Sequence, residues 1–157
     1  MRRVSFRFAI IAALSAAFSL AGCSGAAATG LDQMIYNATY SGPATLQRSP
    51  ILAGATVAPS QPLTLTMTLS QLGQDFSGTF AVTDTLARPL FSGSVTGRST
   101  SAGADFTLVI PPPCGGAVYG NFTVSSGQLS GSAAGRDCNA GSAGNNVQLT
   151  FTNLVRH

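Results

Sequence analysis

From Pro62 to Gln71 the chain sets Leu63, Leu65, Met67 and Leu69 on one side and Thr64, Thr66, Thr68 and Ser70 on the other. This period of two marks a half-buried β-strand, because successive side chains of an extended chain point to opposite faces. Gln74 to Val82 repeats it, with Phe76, Gly78, Phe80 and Val82 on one face. A two-residue loop at Leu72-Gly73 places Leu69 opposite Phe76, Met67 opposite Gly78, Leu65 opposite Phe80 and Leu63 opposite Val82. Every apolar side chain then shares one face, and a slip of one residue would split them between two.

The same test extends along the chain. Pairing Val82 with Phe91 sets Phe80 against Gly93 and Gly78 against Val95; pairing Val95 with Phe106 sets Gly93 against Leu108 and Phe91 against Ile110. A loop at Ser126-Gly127 puts Val124 opposite Leu129 and Phe122 opposite Gly131. The last strand, Val147 to Phe151, pairs Val147 with Ala133, Leu149 with Gly131 and Phe151 with Leu129. The first contains Tyr36, Ala38 and Tyr40, after which Pro43 to Pro59 shows no clean period. These eight segments follow one another as hairpins. The fold class expected is therefore all-β, an antiparallel up-and-down meander of about eight strands closing into a small barrel, since closure removes exposed edges. A two-layer β-sandwich is the alternative. A membrane barrel would turn the alternation inside out, and strands of about 6 to 9 residues, the absence of Trp and only three Tyr argue against it.

Three fragments recur: Phe76-Ser77-Gly78-Thr79, Phe91-Ser92-Gly93-Ser94 and Leu129-Ser130-Gly131-Ser132. A strand glycine lets a neighbouring ring cover it and lets the sheet coil, as closure requires. The apolar face carries Phe76, Phe80, Phe91, Phe106, Phe122 and Phe151 with many Leu and Val. That is enough side chain to predict a packed centre with at most a shallow pocket at one end. A ligand site would need an apolar cavity of about 300 Å³ or more.

Composition adds little beyond this. The positive excess lies in Arg2, Arg3 and Arg7; past residue 22, Arg48, Arg88, Arg98, Arg136 and Arg156 balance Asp32, Asp75, Asp84, Asp105 and Asp137, with no Lys and no Glu. Without a basic cluster there is no nucleic-acid footprint, so no nucleic-acid partner is expected. Abundant Thr and the missing Lys and Glu favour strands over helices.

The N-terminus carries the one specific motif. A basic start is followed by an apolar run from Phe8 to Leu20, of the length of a secretory signal and too short to span a bilayer, and then by Leu20-Ala21-Gly22-Cys23. This resembles the lipobox of bacterial lipoproteins. The resemblance implies residues 1–22 as a cleaved signal peptide, Cys23 as the lipidation site carrying diacylglycerol and a further acyl chain such as palmitate, and attachment to a membrane through it. Residues 23–33, with the small-residue run Ser24 to Gly30, then form a tether, and residues 34–157 a single barrel-like domain. Ser24 after the cysteine, where an Asp would signal inner-membrane retention, implies the outer membrane facing the periplasm. In that oxidising compartment Cys114 and Cys138 are expected as a disulfide. They lie equally far from Ser126, so the hairpin ladder brings them within one residue of each other. A zinc site is less favoured, because two thiols need further ligands and the one His is His157.

Catalytic chemistry has little to draw on. With no Glu or Lys, a terminal His and scattered Asp, no catalytic residues are expected and the chain does not read as an enzyme. No cofactor or metal is expected either. Asp75, Asp84 and Asp137 sit at turns, where the carboxylate commonly bonds the local backbone, and Asp105 opens a strand. Asn37-Ala38-Thr39 and Asn121-Phe122-Thr123 match a glycosylation triplet without meaning in a bacterial lipoprotein. Downstream of the lipobox the chain resembles small β-rich envelope lipoproteins, which confers no activity. The functional expectation is an anchored, non-enzymatic interaction or structural component with a protein partner; the alternative is a lipocalin-like binder of a small apolar ligand.

Overall fold

Strands that alternate apolar and polar residues each leave one face to bury, and a meander of them buries it most fully by curling until its first and last strands meet. This chain does so. The computed structural model describes residues 36–51, 56–101, 103–112, 115–137 and 145–157. Among the described residues eight strands run antiparallel, each bonded to the next: β1 (Ala38–Pro50), β2 (Gln61–Leu72), β3 (Asp75–Thr83), β4 (Pro89–Thr100), β5 (Gly103–Ile110), β6 (Gly116–Ser125), β7 (Gln128–Asp137) and β8 (Asn145–Arg156). Pairing of β8 with β1 closes the barrel.

The apolar faces all point inward. Leu65, Met67, Val82, Val95, Leu129 and Leu154 have 0% exposure, and the six phenylalanines among the described residues share this interior, with Phe91 half-buried. The outer face carries the alternating Thr and Ser residues, the reverse of a lipid-facing barrel. Strand length does not make that distinction, for the strands run from 8 to 13 residues rather than the expected 6 to 9. The direction of the apolar face does.

Registers follow the pattern where a turn or a glycine pins them. Val82 faces Phe91, Phe80 faces Gly93 and Gly78 faces Val95 as expected. Ser126 (φ 52°) and Gly127 (φ 76°) turn the β6–β7 hairpin, both on the positive side as a type I′ turn needs, and Val124 meets Leu129. Three expected registers are off by two residues. In β2–β3 the turn is Gly73-Gln74 rather than Leu72-Gly73, so Leu69 faces Gly78, Met67 faces Phe80 and Leu65 faces Val82. Gly73 supplies the positive φ (65°) at the first turn position, a demand that the expected loop would have placed on Leu72.

In β4–β5 Val95 faces Leu108 and Gly97 faces Phe106; in β7–β8 Gly131 faces Phe151 and Ala133 faces Leu149. Both shifts bring a ring opposite a glycine. A Cβ on Gly97 would stand 2.2 Å from Phe76 Cζ and 2.4 Å from the Asp105 carbonyl oxygen, so the space of the missing side chain is filled by the Phe76 ring, which comes from the neighbour on the other side, β3. Large opposite small is how a narrow barrel interior packs.

The first strand also differs from expectation. β1 continues through the proline-containing stretch to Pro50, and its irregularity is a bulge: the β1–β8 register shifts between Ser41 and Ala44, around Pro43. A bulge tolerates a residue without an N–H. Tyr36 lies ahead of β1 and folds over the end of the barrel where the short turns sit. It is 4% exposed, stacks on Phe76 and meets Phe122 edge-on, both at 5.4 Å, and its hydroxyl donates to the Gly103 carbonyl at 3.2 Å. Beside it the Asn37 side-chain oxygen accepts the Gln71 backbone N–H. That end is closed.

Candidate functional site

The interior offers hydrocarbon and rings. Phe122 touches Tyr36, Phe76 and Phe106 with centroids 5.4 to 5.7 Å apart, and Phe106 continues to Phe151 at 6.0 Å. The buried apolar residues form a single cluster, against which the partly buried Ala38, Phe91 and Val124 pack. The core is filled by its own residues. Burial pushes the Tyr40 phenol above its ordinary pKa, an effect that nearby Arg156 opposes and Tyr36 reinforces.

The described acidic side chains, Asp75, Asp84 and Asp105, fall into two kinds; Asp32 and the side chain of Asp137 lie outside the described residues. Asp84 closes the β3–β4 loop: its carboxylate accepts the backbone N–H groups of Leu86 and Arg88, both at 2.9 Å, and the Arg88 side chain at 2.6 Å. The Arg88 backbone bond above all, then the Arg88 side chain and the Leu86 N–H, hold its pKa below the ordinary value against partial desolvation. This is the local turn bonding expected of it. Asp75 instead reaches across the ladder to Arg98, at 2.9 Å and well exposed on both sides. The turn position of Asp75 suggested a backbone partner, but Arg98 stands directly opposite it in β4. Asp105, next along the same outer row, also faces Arg98.

His157 lies against β1, its backbone N–H donating to the Thr39 carbonyl at 2.8 Å and its Nε2 lying 2.7 Å from the Ser41 hydroxyl. Arg156 donates to the Asn37 carbonyl at 3.3 Å. These bonds tie the C-terminus to β1 across the closing seam. Cys23, Cys114 and Cys138 lie outside the described residues, as does the tether; the β6–β7 ladder runs to Ala117 opposite Arg136, three residues after Cys114 and two before Cys138. Among the described residues no three His, Cys, Asp or Glu side chains gather as a metal site.

The wall carries the grooves. One of about 730 Å³ runs over β3 to β6 between Asp75, Arg98, Asp105, Thr107 and Tyr119. Another of about 630 Å³ runs over β7, β8 and β1 between Ala134, Arg136, Asn146, Gln148 and Gln47. The core residues beneath the first, Phe76 and Phe106, remain 3% exposed, so it does not open into the barrel. The two grooves adjoin where Tyr119 pairs with Ala134. Sequence reasoning passed over Tyr119, although the inward parity of Val118, Gly120 and Phe122 already turned it outward. No family model and no curated protein matches the chain.

Proposed function

We propose that this chain is a bacterial envelope lipoprotein, anchored in the outer membrane through acylated Cys23 and facing the periplasm, whose barrel is a non-enzymatic interaction or structural module. It acts through its outer surface. The lipobox at Leu20 to Cys23 supports the anchor. The observation that carries the surface reading is the filled interior: the residues that would line a lipocalin-like cup are packed against one another, and the turn end is plugged by Tyr36.

Two measurements test the proposal. Cys23→Ser leaves nothing to acylate, and since two or more acyl chains hold a protein stably on a bilayer, the variant should leave the membrane fraction or remain unprocessed. Unchanged membrane association and mobility would defeat the anchor. Titration with a fluorescent fatty acid should give no saturable signal up to about 100 μM, the range in which a formed apolar pocket binds readily. Saturable binding at one site would install the apolar-ligand binder in place of the surface module.

A further inference from the structure

The two ends of the barrel differ in what they show to solvent. At the turn end the groups around the exposed Leu72 are polar: Gln74, Asp75, Arg98, Ser126 and Arg156. The opposite, loop end presents Ile51 and Val57 from the β1–β2 connection and Leu86 from the β3–β4 connection, 55% exposed at Val57 and 72% at Leu86, with Leu90 exposed beside them at the start of β4. Pro111 and Pro112, after β5, are exposed at the same end. These side chains are held out by the backbone. The Asp84 carboxylate accepts the Leu86 and Arg88 N–H groups, and the Ala58 N–H, next to Val57, donates to the Arg48 carbonyl at 3.2 Å. They project as separate points and line neither of the two large wall grooves, which suits a fluid apolar surface better than a shaped partner.

We infer that the loop end is a membrane-docking surface: Val57, Leu86 and Leu90 dip into the bilayer that holds the acylated Cys23, and the turn end and the wall face the periplasm. This deepens the proposed function and rests on its reading of Cys23 as the anchor. The anchor permits the orientation even though the chain enters the barrel at the turn end. Strands of 12 residues, such as β2 and β8, rise about 30 Å when tilted by about 40°. Tyr36 stands 13 residues after Cys23, a span of up to about 45 Å, so the tether reaches from the turn end past the loop end. With both ends within reach of the lipid, burial of exposed apolar side chains selects the loop end. The Arg88 side chain, 72% exposed next to Leu86, keeps donors beyond those given to Asp84 and can offer them to lipid phosphates at the surface. A few apolar side chains hold a bilayer only weakly, so the loops orient the barrel and the acyl chains retain it.

The chain has no Trp, so a single introduced Trp reports on its own position. Val57→Trp, Leu86→Trp and Leu72→Trp, all at exposed sites, are made in the lipidated protein and reconstituted into vesicles of phosphatidylethanolamine and phosphatidylglycerol, with and without bromine on the acyl chains. Bromine placed there quenches a ring that enters the hydrocarbon. Val57→Trp and Leu86→Trp should emit at shorter wavelength and be quenched severalfold more than Leu72→Trp, which lies about 30 Å away at the other end. Adding Leu86→Asp and Leu90→Asp to the Val57→Trp protein should remove most of its quenching, and urea midpoints check that each variant is folded. Quenching of Leu72→Trp, alone or with the others, would overturn the inference, as would quenching of none or indifference to the Asp substitutions. Those results leave the anchor standing, because flotation of the protein with the same vesicles reads attachment separately. Protein that fails to float would remove the anchor and this inference together.

Discussion

Replacing Phe122 with Ala removes the side chain on which the interior converges. Phe122 is 1% exposed and contacts Tyr36, Phe76 and Phe106 at once. Its neighbours across the ladder are Ala104 and Gly131, which have no side chain to move into the space. Lost transfer energy of about 1.5–3 kcal/mol then adds to an unrelieved cavity. The loss should fall in the upper half of the usual Phe→Ala range, about 4–5 kcal/mol. Against a total stability of about 5–15 kcal/mol, that is enough to leave the domain marginal. Urea unfolding of the Cys23→Ser protein, followed by circular dichroism, reads the effect as a fall in midpoint with little change in slope. Tyr119→Ala, on the outer wall, should stay within about 0.5 kcal/mol. A loss of about 1.5 kcal/mol or less at Phe122 would refute the reasoning, because it is what a ring lining an open, wet cup would give.

Gly93→Ala should destabilise by more than about 3 kcal/mol, since its Cβ would stand 1.9 Å from the Val109 carbonyl oxygen and backbone must move, whereas Gly73→Ala meets nothing and costs about 1–2 kcal/mol for its positive φ alone; the same urea titration checks the ranking. Asp84 has a depressed folded pKa, so its contribution is present above the unfolded value of 3.8 and is lost as pH falls through the folded one. The parent's midpoint should therefore drop below about pH 4 more steeply than that of Asp84→Asn, and parallel curves would exclude this role. A non-reduced digest should contain a Cys114–Cys138 peptide pair, and reduction should cost roughly 3 kcal/mol; free thiols in protein taken from the envelope would sink the pairing.

The inside and outside of this barrel were legible from the sequence because a period of two assigns every strand residue to a face. Register was legible only up to steps of two: sliding Leu69 from Phe76 to Gly78 leaves every apolar residue where it was. What decides between such registers is the handedness of the turn at Gly73 and the pairing of Phe106 and Phe151 with the glycines Gly97 and Gly131, neither of which alternation encodes. The bulge at Ser41 to Ala44 hid β1 in the same way, since a strand that gains a residue against one neighbour loses its simple period. Tyr36 fitted the alternation of β1 yet serves as a lid, because the strand begins two residues later. The wall grooves were the least legible part. Tyr119's direction follows from parity, but Gln47 and Gln148 become neighbours only once β8 closes on β1, at a separation in sequence that no local pattern spans.

The most direct test of a filled, lipid-anchored barrel is the native mass spectrum of the protein extracted from the envelope in detergent and freed of micelle in the gas phase. It should show a chain beginning at Cys23 with its acyl groups and no further bound mass, because the core side chains already occupy the interior. A chain retaining residues 1–22 unacylated, or a species carrying an apolar molecule at one to one that survives exchange into fresh detergent, would contradict it.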